Sequence, residues 1–154
     1  MTEHSESIST LNTLIATTTD SINGYEKSAD EIKDQRLQQI FRQRADDRQQ
    51  VVQKLREEVR RLGGDPDDSG SFLGKAHQAF EGLKSAVTGG DEKSIVDEVE
   101  RGEDYLKGKF ETALDSDTLN GDARSVVEQC YQSVKSGHDQ MSQLKHGMET
   151  QSHA

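Results

Sequence analysis

Three ionisable residues near the middle of predicted helices are the best candidates for chemistry: Arg48, Glu103 and His138. Glu103 and His138, with Glu100 one helical turn before Glu103, offer the carboxylate oxygens and imidazole nitrogen of a metal site. Arg48 indicates other chemistry, because a guanidinium repels a cation and pairs well with a carboxylate. We therefore predict a buried Arg48–Glu103 ion pair with His138 hydrogen-bonded beside it. A metal site made by Glu100, Glu103 and His138 remains the alternative.

A complete dinuclear iron centre is not encoded at these positions. Such a centre takes a Glu from each of two helices and a Glu-x-x-His motif from each of the other two. The residue three before His138 is Lys135, and the second helix has Ala45-x-x-Arg48 in place of Glu-x-x-His. The first helix has Thr18 at its middle. We predict no cofactor, and the alternative is an incomplete iron or manganese site.

Apolar residues recur at steps of three and four along four long segments, which predicts four amphipathic helices. The predicted ranges are 6–30, 34–62, 91–115 and 121–149, with a shorter helix near 71–88. Asp34 is the predicted N-cap of the second helix, and Gly63, Gly64 and Pro66 end that helix. No strand-like alternation of any length occurs, so the sequence predicts an all-α protein.

The longest connection falls between the second and third full-length helices, and the other two connections are only a few residues long. An antiparallel four-helix bundle with one long middle crossover has the ferritin-like arrangement, here with a short crossover helix. The helix midpoints, which then meet in one polar layer, are Thr18, Arg48, Glu103 and His138. Gly102 and Gly137 each precede a residue of this layer, which indicates close helix approach or room for a bulky polar group.

Composition limits the possible partners. We expect one domain over residues 1–154, with frayed ends at about 1–6 and 149–154. With 29 acidic and 19 basic residues the net charge is −10, so nucleic acids and anionic membranes would be repelled. No segment approaches the roughly 20 apolar residues of a membrane span, and no signal peptide is recognised. The lone Cys130 is predicted to be an inert core thiol, which favours a cytoplasmic location.

Four segments resemble a bacterial ferritin-like family of four-helix bundles that is catalogued as a domain of unknown function. These segments are Glu58–Pro66, Leu83–Asp91, Glu100–Asp104 and Val134–Asp139. The similarity extends from about Ser7 to Leu144. It implies a ferritin-like bundle of the bacterial cytosol with no established reaction, and it suggests that Arg48, Glu103 and His138 belong to the family pattern.

Two classes of function remain open. The first is a non-enzymatic bundle that acts through protein contacts, as a stress-associated or accessory protein, because no complete catalytic set is recognised. The alternative is a redox or storage protein that binds iron or manganese. In either class we expect a homodimer. Tyr105 and Leu14 lie off the main apolar lines, and they either mark the dimer face or merely flank the core.

Overall fold

Four α-helices form the regular structure of the computed structural model, which describes residues 2–66, 92–119 and 121–152. They are α1 (Thr2–Glu31), α2 (Gln35–Arg61), α3 (Glu92–Asp115) and α4 (Gly121–Ser152). No strand occurs in these ranges, so the prediction of an all-α protein is confirmed for them. The helix bounds agree with the predicted ones to within a few residues. The predicted helix near 71–88 and the predicted cap Asp91 lie outside the described residues.

Both ends of α2 are set by the residues that the sequence indicated. Asp34 has an extended backbone, and its Oδ1 accepts a hydrogen bond from the Leu37 amide at 3.1 Å, which makes it an N-cap. Gly63 adopts a φ of 88° after the last turn, a conformation that is easiest for glycine. The next amide, that of Gly64, donates to the Val59 carbonyl at 2.9 Å, as in a Schellman motif.

The contacts between helices give the direction of each one. The main interfaces are α1 with α2, α3 with α4, α1 with α3 and α2 with α4, so α2 and α3 occupy opposite corners. Near the start of α1, Ser7 and Thr10 donate hydrogen bonds to Thr118, which follows α3. Asn12 donates to the carbonyl of Asp65, which follows α2. Because α2 and α3 both end where α1 begins, they run parallel to each other.

All four helices contribute to one core of aliphatic and aromatic side chains. Its fully buried members include Leu11, Ile15, Phe41, Leu55, Ile95, Leu106, Phe110, Val127, Val134 and Met141. Leu14 also belongs to this core and is only 1% exposed, which agrees with the alternative that it flanks the core rather than marking a dimer face. The reason is that α1 packs against two helices and therefore buries a wider stripe than one apolar line. None of the described helices is sufficiently apolar over its length to cross a bilayer.

Candidate functional site

The centre of the bundle contains an ion pair between Arg48 of α2 and Glu103 of α3, which we call the central pair. Arg48 Nη1 donates to Glu103 Oε1 and Nη2 donates to Oε2, both at 2.7 Å. This two-pronged geometry is the strongest that an arginine and a carboxylate can adopt. The side chains are 0% and 1% exposed. Arg48 Nη1 also donates to the Ser21 hydroxyl of α1 at 3.0 Å, so three helices hold the guanidinium.

Aromatic and small residues shape the space around the guanidinium. The Tyr25 ring lies 5.8 Å from Arg48 Cζ, and Phe41 packs against Tyr25 in a tilted arrangement. Gly137 of α4 lies on another side, where an added Cβ would come within 2.5 Å of Arg48 Nη2. Gly137 therefore makes room for a bulky polar group, which is one of the two roles that the sequence indicated. Gly102 is buried in α3, next to Glu103.

The charges of the central pair stabilise each other. Burial lowers the pKa of Arg48, but the Glu103 carboxylate more than compensates, and the pKa of Arg48 is raised overall. Burial, and after it the negative charge of Glu103, raises the pKa of Tyr25 well above its usual value. Tyr25 is therefore neutral and Arg48 charged at physiological pH. A cation bound to Glu103 would lie next to the positive guanidinium of Arg48, which repels it.

The hydrogen bonds of His138 go to two aspartates and not to the central pair. Its Nε2 is 2.6 Å from Asp104 Oδ1 and its Nδ1 is 3.2 Å from Asp139 Oδ1, at the interface of α3 and α4. Glu100 is buried one turn before Asp104, and one donor atom from each of Glu100, Asp104 and His138 lies within 4.8 Å of the other two. We call these three residues the lateral cluster. Lys145 Nζ approaches Glu100 Oε1 at 3.4 Å.

The structure thus divides the candidate residues between two clusters. Glu100 and His138 come together, whereas Glu103 contacts Arg48 and its place in the lateral cluster is taken by Asp104. Asp104 was missed by the sequence reasoning. The signal for it was the four-residue spacing from Glu100, which places both carboxylates on one face of α3. Glu103 is rotated from Asp104 by about 100° around the helix.

The electrostatics of the lateral cluster favour positive charge at His138. Burial lowers the pKa of His138, but its hydrogen bonds to Asp104 and Asp139 outweigh that effect, and the pKa is raised overall. The same contact, with a second one from Lys135, lowers the pKa of Asp139. The carboxylates therefore favour binding of a proton to the imidazole. The donor atoms that hold this proton are also of the types that hold a metal cation.

Cys130 lies away from both clusters, on the side of α4 that faces the core. It is 1% exposed, and burial raises the pKa of its thiol to about 11. The prediction that it is a buried core thiol is confirmed. It has the properties of an inert cysteine, since the thiolate is the reactive form.

Over the described residues, the fold and the two clusters define a class of protein: an all-α four-helix bundle with a diagonal ion pair at its centre and a carboxylate–histidine cluster at one helix interface. The sequence profile of a family described as a domain of unknown function (DUF2383) matches residues 6–116, and the chain belongs to this family. The match covers α1 from Glu6 and all of α2 and α3. His138 and the rest of α4 lie outside the matched residues. A search of curated proteins found no match.

Proposed function

We propose that this chain is a ferritin-like bundle in which the central pair occupies the position that a metal centre would take. Two observations support the ferritin-like assignment. The links between α1 and α2 and between α3 and α4 are short. α2 and α3 run parallel to each other, as the second and third helices do in bundles with one long middle crossover.

We infer that the protein is not an enzyme and acts through protein contacts. The observation that carries this proposal is the bidentate Arg48–Glu103 pair, which uses both oxygens of Glu103 and puts a positive charge at the bundle centre. Metal chemistry of the di-iron kind needs unpaired carboxylates in that layer. A structural role for the central pair leaves the surface of the bundle to carry the function, as an accessory or stress-associated protein of a bacterial cytoplasm.

The charge of the chain favours certain partners. A net charge of −10 complements a partner with a basic surface and speeds its encounter with the bundle. A second copy of this chain carries the same charge, so a homodimer needs an apolar contact face that outweighs the repulsion. Tyr105 of α3 remains a candidate for that face because it is partly exposed, with Lys109 Nζ 5.4 Å from its ring centroid.

Elemental analysis of protein purified without chelator tests the central proposal. We expect the purified protein to contain no stoichiometric iron or manganese whose binding requires Glu103. Stoichiometric metal that disappears in a folded Glu103→Ala variant would overturn the proposal and establish the rival class, a redox or storage protein. Metal that disappears in His138→Gln but persists in Glu103→Ala would belong to the lateral cluster and would leave the central pair in its structural role.

Light scattering across a range of protein concentrations tests the homodimer. We expect a dimer that Tyr105→Ala shifts towards the monomer, with Tyr131→Phe as a control for loss of a tyrosine from the same half of the bundle. A chain that remains monomeric at the highest concentration would exclude the homodimer and leave a different protein as the partner.

A further inference from the structure

We propose that the lateral cluster of Glu100, Asp104 and His138 binds a single divalent transition-metal cation. The site lies at the α3/α4 interface and uses neither member of the central pair. The proposal therefore goes beyond the role inferred for the bundle centre.

The donor atoms are already close to the arrangement that one cation needs. One oxygen of each carboxylate and one imidazole nitrogen lie within 4.8 Å of one another. First-row cations bind such atoms at about 2.0–2.2 Å, which places neighbouring ligand atoms roughly 3–3.5 Å apart. Binding of a cation would therefore draw the more distant donor atoms together. The cation would take the place of a proton on His138 Nε2, and that proton would pass to solvent.

The helices hold these ligands in register. Glu100 and Asp104 lie one turn apart on one face of α3, and His138 faces them from α4. Glu103 lies between Glu100 and Asp104 in sequence but on another face of α3. Its hydrogen bonds to Arg48 restrict rotation of the helix. The ligands therefore stand on a part of the bundle that the central pair keeps rigid.

A fourth residue supports the histidine from behind. Asp139 Oδ1 lies 3.2 Å from Nδ1, the imidazole nitrogen that does not face Asp104. A carboxylate in this position is typical of metal-binding histidines, because it fixes the orientation of the ring and makes the other nitrogen a stronger ligand. Asp139 is thus a positioning residue for His138 rather than a ligand.

The donor set selects the class of cation. Two carboxylate oxygens and one imidazole nitrogen suit borderline cations such as Zn(II), Fe(II), Co(II) and Mn(II), whereas Mg(II) and Ca(II) prefer oxygen ligands alone. The site is also asymmetric in its access to solvent. The Glu100 side chain is 11% exposed and that of Asp104 is 57% exposed. Water can therefore complete the coordination from the Asp104 side.

Calorimetric titration of the chelator-stripped full chain with Zn(II) tests the site, since Zn(II) is redox-inert. We expect one strongest site per chain. His138→Gln and Asp104→Asn should each weaken Zn(II) binding by about tenfold or more. The matched control is His4→Gln, which removes an exposed histidine of α1 and should leave the affinity unchanged. Lys145→Met removes the cation beside Glu100 and should tighten binding by about two- to fivefold.

Circular dichroism of each variant shows whether it is folded, and Asp104→Asn provides a test at an exposed position even if His138→Gln unfolds. Absence of Zn(II) binding by the wild-type chain overturns the proposal. The proposal is also overturned if His4→Gln reduces the affinity for Zn(II) as much as His138→Gln does. Binding that Glu103→Gln abolishes and His138→Gln spares would put the cation in the bundle centre, against both this site and the proposed function. Loss of Zn(II) binding in His138→Gln and Asp104→Asn, with binding retained in His4→Gln and Glu103→Gln, supports the lateral site.

Discussion

Arg48 and Glu103 connect two helices that occupy opposite corners of the bundle. The guanidinium of Arg48 reaches across the core and donates to both oxygens of the Glu103 carboxylate at 2.7 Å. Neither side chain is accessible to solvent to any useful extent, so each charge depends on the other for its stabilisation. The pair therefore links the stability of the bundle to the mutual position of α2 and α3.

Removal of one partner should be strongly destabilising. Arg48→Met leaves the Glu103 carboxylate buried without its cation, and we expect the free energy of unfolding to fall by about 3–5 kcal/mol. The double variant Arg48→Met/Glu103→Leu contains no stranded charge and should recover much of this loss. Urea unfolding of the two single variants and the double variant measures the coupling. An Arg48→Met variant as stable as the wild type would mean that the pair contributes no stability.

Gly137 should respond to substitution differently from other helical glycines. An alanine Cβ at position 137 would come within 2.5 Å of Arg48 Nη2, and the guanidinium cannot move away without losing Glu103. We expect Gly137→Ala to cost about 1–3 kcal/mol through overpacking, in spite of the better helix propensity of alanine.

Gly108 of α3 is the matched control, because nothing lies within 4 Å of a Cβ added there. Gly108→Ala should stabilise the protein by up to about 1 kcal/mol. Thermal unfolding of the two variants shows whether their changes in stability have opposite signs. Equal effects of the two substitutions would contradict the close approach of Gly137 to Arg48.

The helices could be predicted from sequence because their signals are local. Spacing of apolar residues defined four helices, and Asp34 and Gly63 marked the ends of α2. The alignment of helix midpoints also predicted that Arg48 lies opposite Glu103. Such an alignment tolerates an error of about one turn along the bundle axis, because the helices are long. The direction in which a side chain points around the helix axis is harder to predict than its position along the axis. A neighbouring residue points about 100° away, and so Asp104 rather than Glu103 faces His138.

Cys130 should be almost unreactive in the folded protein. Burial raises the pKa of its thiol from 9.0 to about 11, which reduces the thiolate fraction near pH 8 by about 100-fold. The 1% exposure of the residue adds a need for local opening before a reagent can reach the sulfur. Mass spectrometry should find slow alkylation by iodoacetamide in native buffer and fast alkylation in urea. Similar rates in the two conditions would mean that α4 opens readily around Cys130.

Protonation of His138 should stabilise the folded state over a defined range of pH. The pKa of His138 is raised in the folded protein, because its hydrogen bonds to Asp104 and Asp139 outweigh the lowering effect of burial. The unfolded chain has the ordinary histidine pKa of about 6.5. The stabilisation is therefore fully present below that pKa, and it is lost as the pH rises through the higher pKa of the folded state.

The measurement is the free energy of unfolding of the wild type and His138→Gln, with chelator present, at about pH 6 and about pH 9. The destabilisation by His138→Gln should be larger at the lower pH. Because the carboxylates of Asp104 and Asp139 are 57% and 49% exposed, added salt should reduce this pH-dependent difference. His4→Gln serves as the control for an exposed histidine. If His138→Gln and the wild type differ by the same amount at both pH values, His138 does not gain its charge from these carboxylates.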